Sequence, residues 1–271
     1  MNQASRTIGS ASGKIILSGE YAVVFGYPGI AVPSSERTTV SFQSAKNASL
    51  MIEWSNPPTG NHWNKYVRSI IAQIEAVSKP IQGTIEIDNR ILLQKGMGSS
   101  TSLVIALCRC LLGDDCRTQA HAIEDAVNPG HSGLDFSVIW EEKPILFQRT
   151  KDTKSEFSIL NSQLSIPSWK LIDTGTPNET TPELVAWVRK RKNEPAIASA
   201  LQTIGTCTER LTKGEALRSV MWDHHRAQVT LGVVTPAAQK IIAEIESRGG
   251  SAKVLGAGAR TGGCGMILSI P

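Results

Sequence analysis

Hydrophobic positions along this chain follow two periods. Apolar runs of strand length lie at 14–17 (KIIL), 51–54 (MIEW), 83–87 (GTIEI), 145–147 (ILF), 170–172 (KLI), 253–255 (KVL) and 266–268 (MIL). Between them the spacing turns helical. Val67, Ile70, Ile71, Ile74 and Val77 share one face, which predicts a helix burying that stripe. A second helix is marked at both ends, with Thr235 as N-cap, Pro236 at the first helical position, Ile241, Ile242 and Ile245 on one face and Gly249 just past the end. A third, carrying Leu103, Val104, Leu107 and Leu111, is expected to begin near Ser102. Strands that alternate with helices make the chain α/β or α+β, and the absence of an internal repeat argues against a solenoid. Residues 148–168 are polar and aperiodic. They predict a domain junction near 150, with domains at 1–150 and 151–271; the alternative is a long surface excursion within one domain.

Composition narrows the class. A chain of 271 residues that is 41% hydrophobic can bury a substantial core. The net charge of +4, without a Lys/Arg block, gives no reason to expect a nucleic-acid partner; it fits an anionic small substrate. The opening residues MNQASRTIGSASGK lack an apolar core of the kind a secretory signal has, and no uncharged apolar run nears the ~18 residues of a membrane span, so a soluble cytoplasmic protein is expected. Five cysteines, an odd count, suggest reduced thiols; Cys108, Cys110 and Cys116 cluster without a CxxC spacing and read as core or surface thiols.

Candidate chemistry gathers at three glycine-rich stations. Gly96-Met97-Gly98-Ser99-Ser100-Thr101 runs into an apolar helix. The first N–H groups of such a helix lack intrahelical partners and sit at the positive end of its dipole, so the segment is either an anion site or a plain turn and cap. A serine hydroxyl here could also ligate a phosphate-bound Mg²⁺. The earlier station, Gly13-Lys14 to Gly26, is not a Walker A loop, because Ile8 stands at its first glycine and Ile15 follows the lysine. Lys14 instead opens an apolar strand, where it is either solvated or faces an anion. The third station, Lys253 to Gly265, holds five glycines in ten residues; it suits close backbone approach to a ligand, or forms an elaborate hairpin turn.

In this order and spacing the three stations resemble the signature of the GHMP kinase family over nearly the whole chain. Lys14, Gly19, Glu20, Ala22, Val23, Val24 and Gly26 are most similar to the mevalonate kinase branch. A fourth segment, Glu124 to Asp135, resembles that branch's stretch ending P-S-G-[IV]-D, with the glutamate eleven positions before the aspartate. The resemblance implies an α+β, two-domain fold: a ribosomal protein S5-like α/β domain, a ferredoxin-like C-terminal domain and an active site in the cleft between them.

It also implies roles. Asp135 and Lys14 are the expected catalytic pair, and Gly96, Met97, Gly98, Ser99, Ser100 and Thr101 the nucleotide loop. Ser100 and Glu124 would hold Mg²⁺, while Glu20, Tyr21, His131, Thr180 and Ala257 would lie near the acceptor. The implied cofactors are ATP and Mg²⁺. The implied reaction is phosphorylation of the mevalonate hydroxyl to 5-phosphomevalonate in isoprenoid precursor synthesis. A homodimer is compatible with it, and the sequence does not specify one. Alternatives are another GHMP acceptor (phosphomevalonate, homoserine or a sugar) and an inactive ligand sensor.

The chain departs from the pattern at Ser12 (usually proline), Tyr21 (usually histidine), His131 (usually proline) and in a third station about two residues longer. Arg260 in that extension either reaches a phosphate or points to solvent. Thr180 or Thr181 either meets the substrate or caps a helix.

Overall fold

The computed structural model describes residues 6–149, 155–160 and 168–271. Its largest sheet is organised on two long strands, β1 (Arg6–Ser18) and β2 (Gly29–Ser44), paired antiparallel from Arg6↔Gln43 to Ser18↔Ile30. The other edge of β2 is shared. Its second half pairs with β4 (Gly83–Asn89), which carries β3 (Met51–Trp54) in parallel, and its first residues pair with β5 (Ile145–Arg149), followed by β6 (Ser155–Ile159). A second sheet holds β7 (Lys170–Asp173), β9 (Met266–Ile270) and β8 (Ser251–Val254), all antiparallel.

Four helices cover the first sheet: α1 (His62–Val77), α2 (Ser99–Leu112), α3 (Arg117–Val127) and α4 (Leu134–Glu141). Four belong to the second half: α5 (Thr181–Arg191), α6 (Pro195–Thr212), α7 (Leu217–Leu231) and α8 (Pro236–Ser247). Because side chains alternate along a strand, β1 serves two cores at once. Ala11 and Ile16 join Val67, Ile74, Leu103 and Phe136 on one face, and Ile15 and Leu17 join Val220, Met221 and Leu268 on the other. That double burial fixes the end of β1 against both halves and, with it, Lys14.

All seven apolar runs form strands, with Leu255 just beyond β8. The two patterned helices form as α1 and α8, and Thr235 takes the N-cap of α8. The third helix is corrected: it starts at Ser99 rather than near Ser102, with Gly98 as a left-handed N-cap (φ 77°), so Ser99 to Thr101 form its first turn. The junction expected near 150 lies outside the described residues; β6, beyond it, still pairs with the first sheet. Among the described residues no helix is long and apolar enough to cross a membrane.

Candidate active site

The three stations meet because their backbones pass closer than side chains permit. The Lys14 N–H donates to the Met97 carbonyl (2.9 Å), tying β1 to the loop before α2. A Cβ on Gly98 would stand 2.8 Å from Lys14 Cγ, and one on Gly256 would stand 2.8 Å from the Cα of Gly96. Glycine is required at these crossings both for space and for positive φ. Together with α3, α4 and α5 they enclose a cavity of about 610 Å³.

Lys14 and Asp135 come together here, Nζ to Oδ1 at 3.3 Å, although 121 positions separate them in the sequence. The lysine side chain is 4% exposed and the aspartate 37%, so one is held by the protein while the other opens to the cavity. Asp135 lies in the first turn of α4, where the helix dipole favours a carboxylate. The turn before it is braced by His131, whose Nδ1 accepts the Gly133 N–H (3.1 Å), leaving Nε2–H to donate to Asp125 (2.8 Å). His131 lines the cavity, yet both ring nitrogens hold the loop that carries Asp135.

Glu124 is 1% exposed. Thr101 Oγ1 donates to its Oε1 (2.7 Å), whereas Oε2 is buried without a partner. Burial pushes its pKa up, against the lowering effect of the Thr101 hydrogen bond and of His131. Glu124 and Ser100 both line the cavity. A buried carboxylate oxygen without a partner, on a cavity wall that also carries Ser100, is a donor set suited to Mg²⁺, which takes oxygen ligands and leans on substrate phosphates for the rest. Among the described residues no group of three His, Cys, Asp or Glu forms a cage of its own.

The residues expected at the acceptor are bound to the protein itself. Glu20 is sealed beneath the cavity between Lys253, whose Nζ donates to Oε1, and His224 (Nε2 to Oε2, 3.0 Å). Burial pushes the Glu20 pKa up, but Lys253 and His224 outweigh it and hold it at about 2. Tyr21, at a positive φ of 64°, donates its hydroxyl to the Ala257 carbonyl, joining the first and third stations. Burial raises its pKa. Thr180 is the N-cap of α5, and Glu183 Oε2 accepts from both its N–H and its hydroxyl at 2.7 Å. Met97 is 2% exposed, a core side chain whose carbonyl takes the Lys14 amide.

Sequence reasoning missed other parts of the wall. Lys95 Nζ donates to Asp173 Oδ1 (2.7 Å), bridging the glycine-rich loop before α2 to the end of β7; a lysine directly before Gly96 was the available signal. Arg189 and Glu179 also line the cavity. Arg260 stacks over Trp187 (4.6 Å), while its N–H and that of Thr261 donate to Glu179 Oε2, so the lengthened third station is pinned to the approach to α5.

No family model matches the chain. The mevalonate kinase of Archaeoglobus fulgidus is 27% identical over 272 residues, spanning 95% of this chain and 90% of that protein. The solved Methanococcus jannaschii mevalonate kinase aligns at a TM-score of 0.79 and 20% identity, covering 99% of this chain and 91% of the other. The L. major mevalonate kinase in complex with R-mevalonate aligns at 0.77 and 22%, covering 99% and 87%. These solved structures share the present fold.

Proposed function

From a chain that is a GHMP kinase most like the mevalonate kinases, we infer the reaction to be transfer of the γ-phosphoryl group of ATP to the C5 hydroxyl of mevalonate. One observation carries the mechanism: a buried ammonium and a half-exposed carboxylate lie 3.3 Å apart beside the glycine-capped start of α2. Phosphoryl transfer asks a protein for positioning and charge stabilisation more than for covalent chemistry. Asp135, open to the cavity, orients the acceptor hydroxyl and takes its proton as the new O–P bond forms and the bond from the γ-phosphorus to the β–γ bridging oxygen breaks, with ADP as the leaving group. Lys14, fixed between the two cores, pairs with the Asp135 carboxylate and stabilises charge on the transferred oxygens. The N–H groups from Gly98 through Thr101 bind phosphate oxygens at the positive end of α2. Ser100 and Glu124 would hold Mg²⁺, which when bound neutralises phosphate charge. The segments 1–150 and 151–271 are proposed as the two domains whose cleft forms this cavity.

The test is an acceptor panel with Mg·ATP (mevalonate, phosphomevalonate, homoserine and galactose), with Asp135→Ala as control. Mevalonate should give the largest kcat/KM and the control should be nearly silent. Preference for another acceptor would move the substrate assignment, and turnover by the control would remove the mechanism.

A further inference from the structure

The cavity wall presents three cations, and two have carboxylate partners. Lys14 meets Asp135 and Lys95 meets Asp173. The guanidinium of Arg189 has no hydrogen bond, ion pair or ring contact among the described residues. Its direction follows from the phase of α5. Pro182, Val185, Ala186 and Arg189, at spacings of three and four, line the cavity, while Leu184 and Val188 are buried in the core behind them. Nearby, Arg191 is occupied by Trp187 and Glu194, and Arg260 by Trp187.

A second observation bears on the same point. None of the residues expected at the acceptor offers a free positive charge. Glu20 is an acid neutralised by Lys253, Tyr21 is spent on Ala257, His131 on Gly133 and Asp125, and Thr180 on Glu183. An acceptor bearing a carboxylate needs a counter-charge in a confined cavity, because a desolvated anion without a partner is strongly disfavoured.

We propose that Arg189 is the anchor for the acceptor's carboxylate, holding it by the paired N–H geometry that a guanidinium presents to a planar anion. The proposal rests on the mevalonate reading and deepens it: the carboxylate end points to α5 and the hydroxyl end to Asp135. Arg189 is then a specificity residue that selects carboxylate-bearing alcohols over neutral ones.

The test compares R-mevalonate with its uncharged analogue 3-methylpentane-1,3,5-triol in the full chain and in Arg189→Gln and Arg189→Lys. Loss of a charge-assisted pair should raise the KM for mevalonate by about 30-fold in Arg189→Gln. The kcat, the KM for ATP and the kcat/KM for the triol should stay near their starting values, and Arg189→Lys should recover part of the affinity. An unchanged preference for mevalonate in Arg189→Gln, or an equal loss for both acceptors, overturns the anchor while leaving the kinase reading intact. A wild-type chain inert toward mevalonate overturns both.

Discussion

Two lysine–carboxylate pairs stand close together in this molecule, and their contrast separates chemistry from architecture. Lys14 and Asp135 face the cavity, with the carboxylate 37% exposed. Lys253 and Glu20 lie underneath, 0% and 1% exposed, with His224 against the second carboxylate oxygen. Both join a lysine ammonium to a carboxylate. What differs is access: the upper pair leaves a carboxylate edge for a hydroxyl to reach, while the lower pair spends its charges on joining β8 and α7 to the end of β1. Two ion pairs of like charge therefore differ here in solvent access: the one proposed as reactive opens to the cavity and the other is sealed in the core.

Breaking each pair should produce different failures. Asp135→Ala or Lys14→Met is expected to lower kcat about 10⁴-fold. Nucleotide affinity in a fluorescent-ATP titration and the unfolding midpoint should change little, and the double variant should lose far less than the product of the two losses. In contrast, Lys253→Met removes the ammonium that neutralises buried Glu20, leaving His224 beside it, and should cost about 3–5 kcal/mol of stability in urea unfolding. Any activity lost should follow the fraction folded.

Glu124→Gln sharpens the comparison from a third side, with turnover expected to fall about 100-fold and the Mg²⁺ concentration for half-activity to rise. Its pH signature should oppose that of Glu20. Burial raises the Glu124 pKa above 4.5, so the folded chain holds a proton there that the unfolded chain releases, and its stability contribution declines as pH rises from 4.5 through the folded value. Glu20 is held at about 2, so its contribution is present above 4.5 and disappears as pH falls toward 2. Urea midpoints between pH 2 and 7 should show Glu124→Gln flattening the upper decline and leaving the acid limb. The smallest effect belongs to Tyr21→Phe, which removes the hydroxyl bond to Ala257 and should destabilise by about 1 kcal/mol.

The site was more legible in the sequence than the fold around it. Glycines that cannot carry a side chain, a lysine at the head of an apolar run (inside β1, which begins eight residues earlier) and an acid pair eleven apart are local marks, and each lies at the cavity. β2 was missed because Pro33-Ser34-Ser35-Glu36 interrupts its alternation. β6 escaped because its residues, SEFSI, are mostly polar. α7 buries His224, His225 and Gln228, residues that a periodicity reading scores as polar surface. The Glu20–Lys253 pair spans 233 positions and leaves no local trace; only the packing of β8 against the first station reveals it. Helix onset at Ser99 follows a left-handed Gly98 with the Lys14 side chain packed against it, a tertiary contact that the local sequence does not announce.

The central claim, that Lys14 and Asp135 together form the phosphoryl-transfer centre, is tested most directly by ³¹P NMR of R-mevalonate incubated with Mg·ATP and each chain. The account predicts a new phosphomonoester resonance, coupled to the C5 protons, with the wild type and none on the same time scale with Asp135→Ala. An equal resonance from the variant, or a phosphate esterified at another oxygen by the wild type, would contradict it.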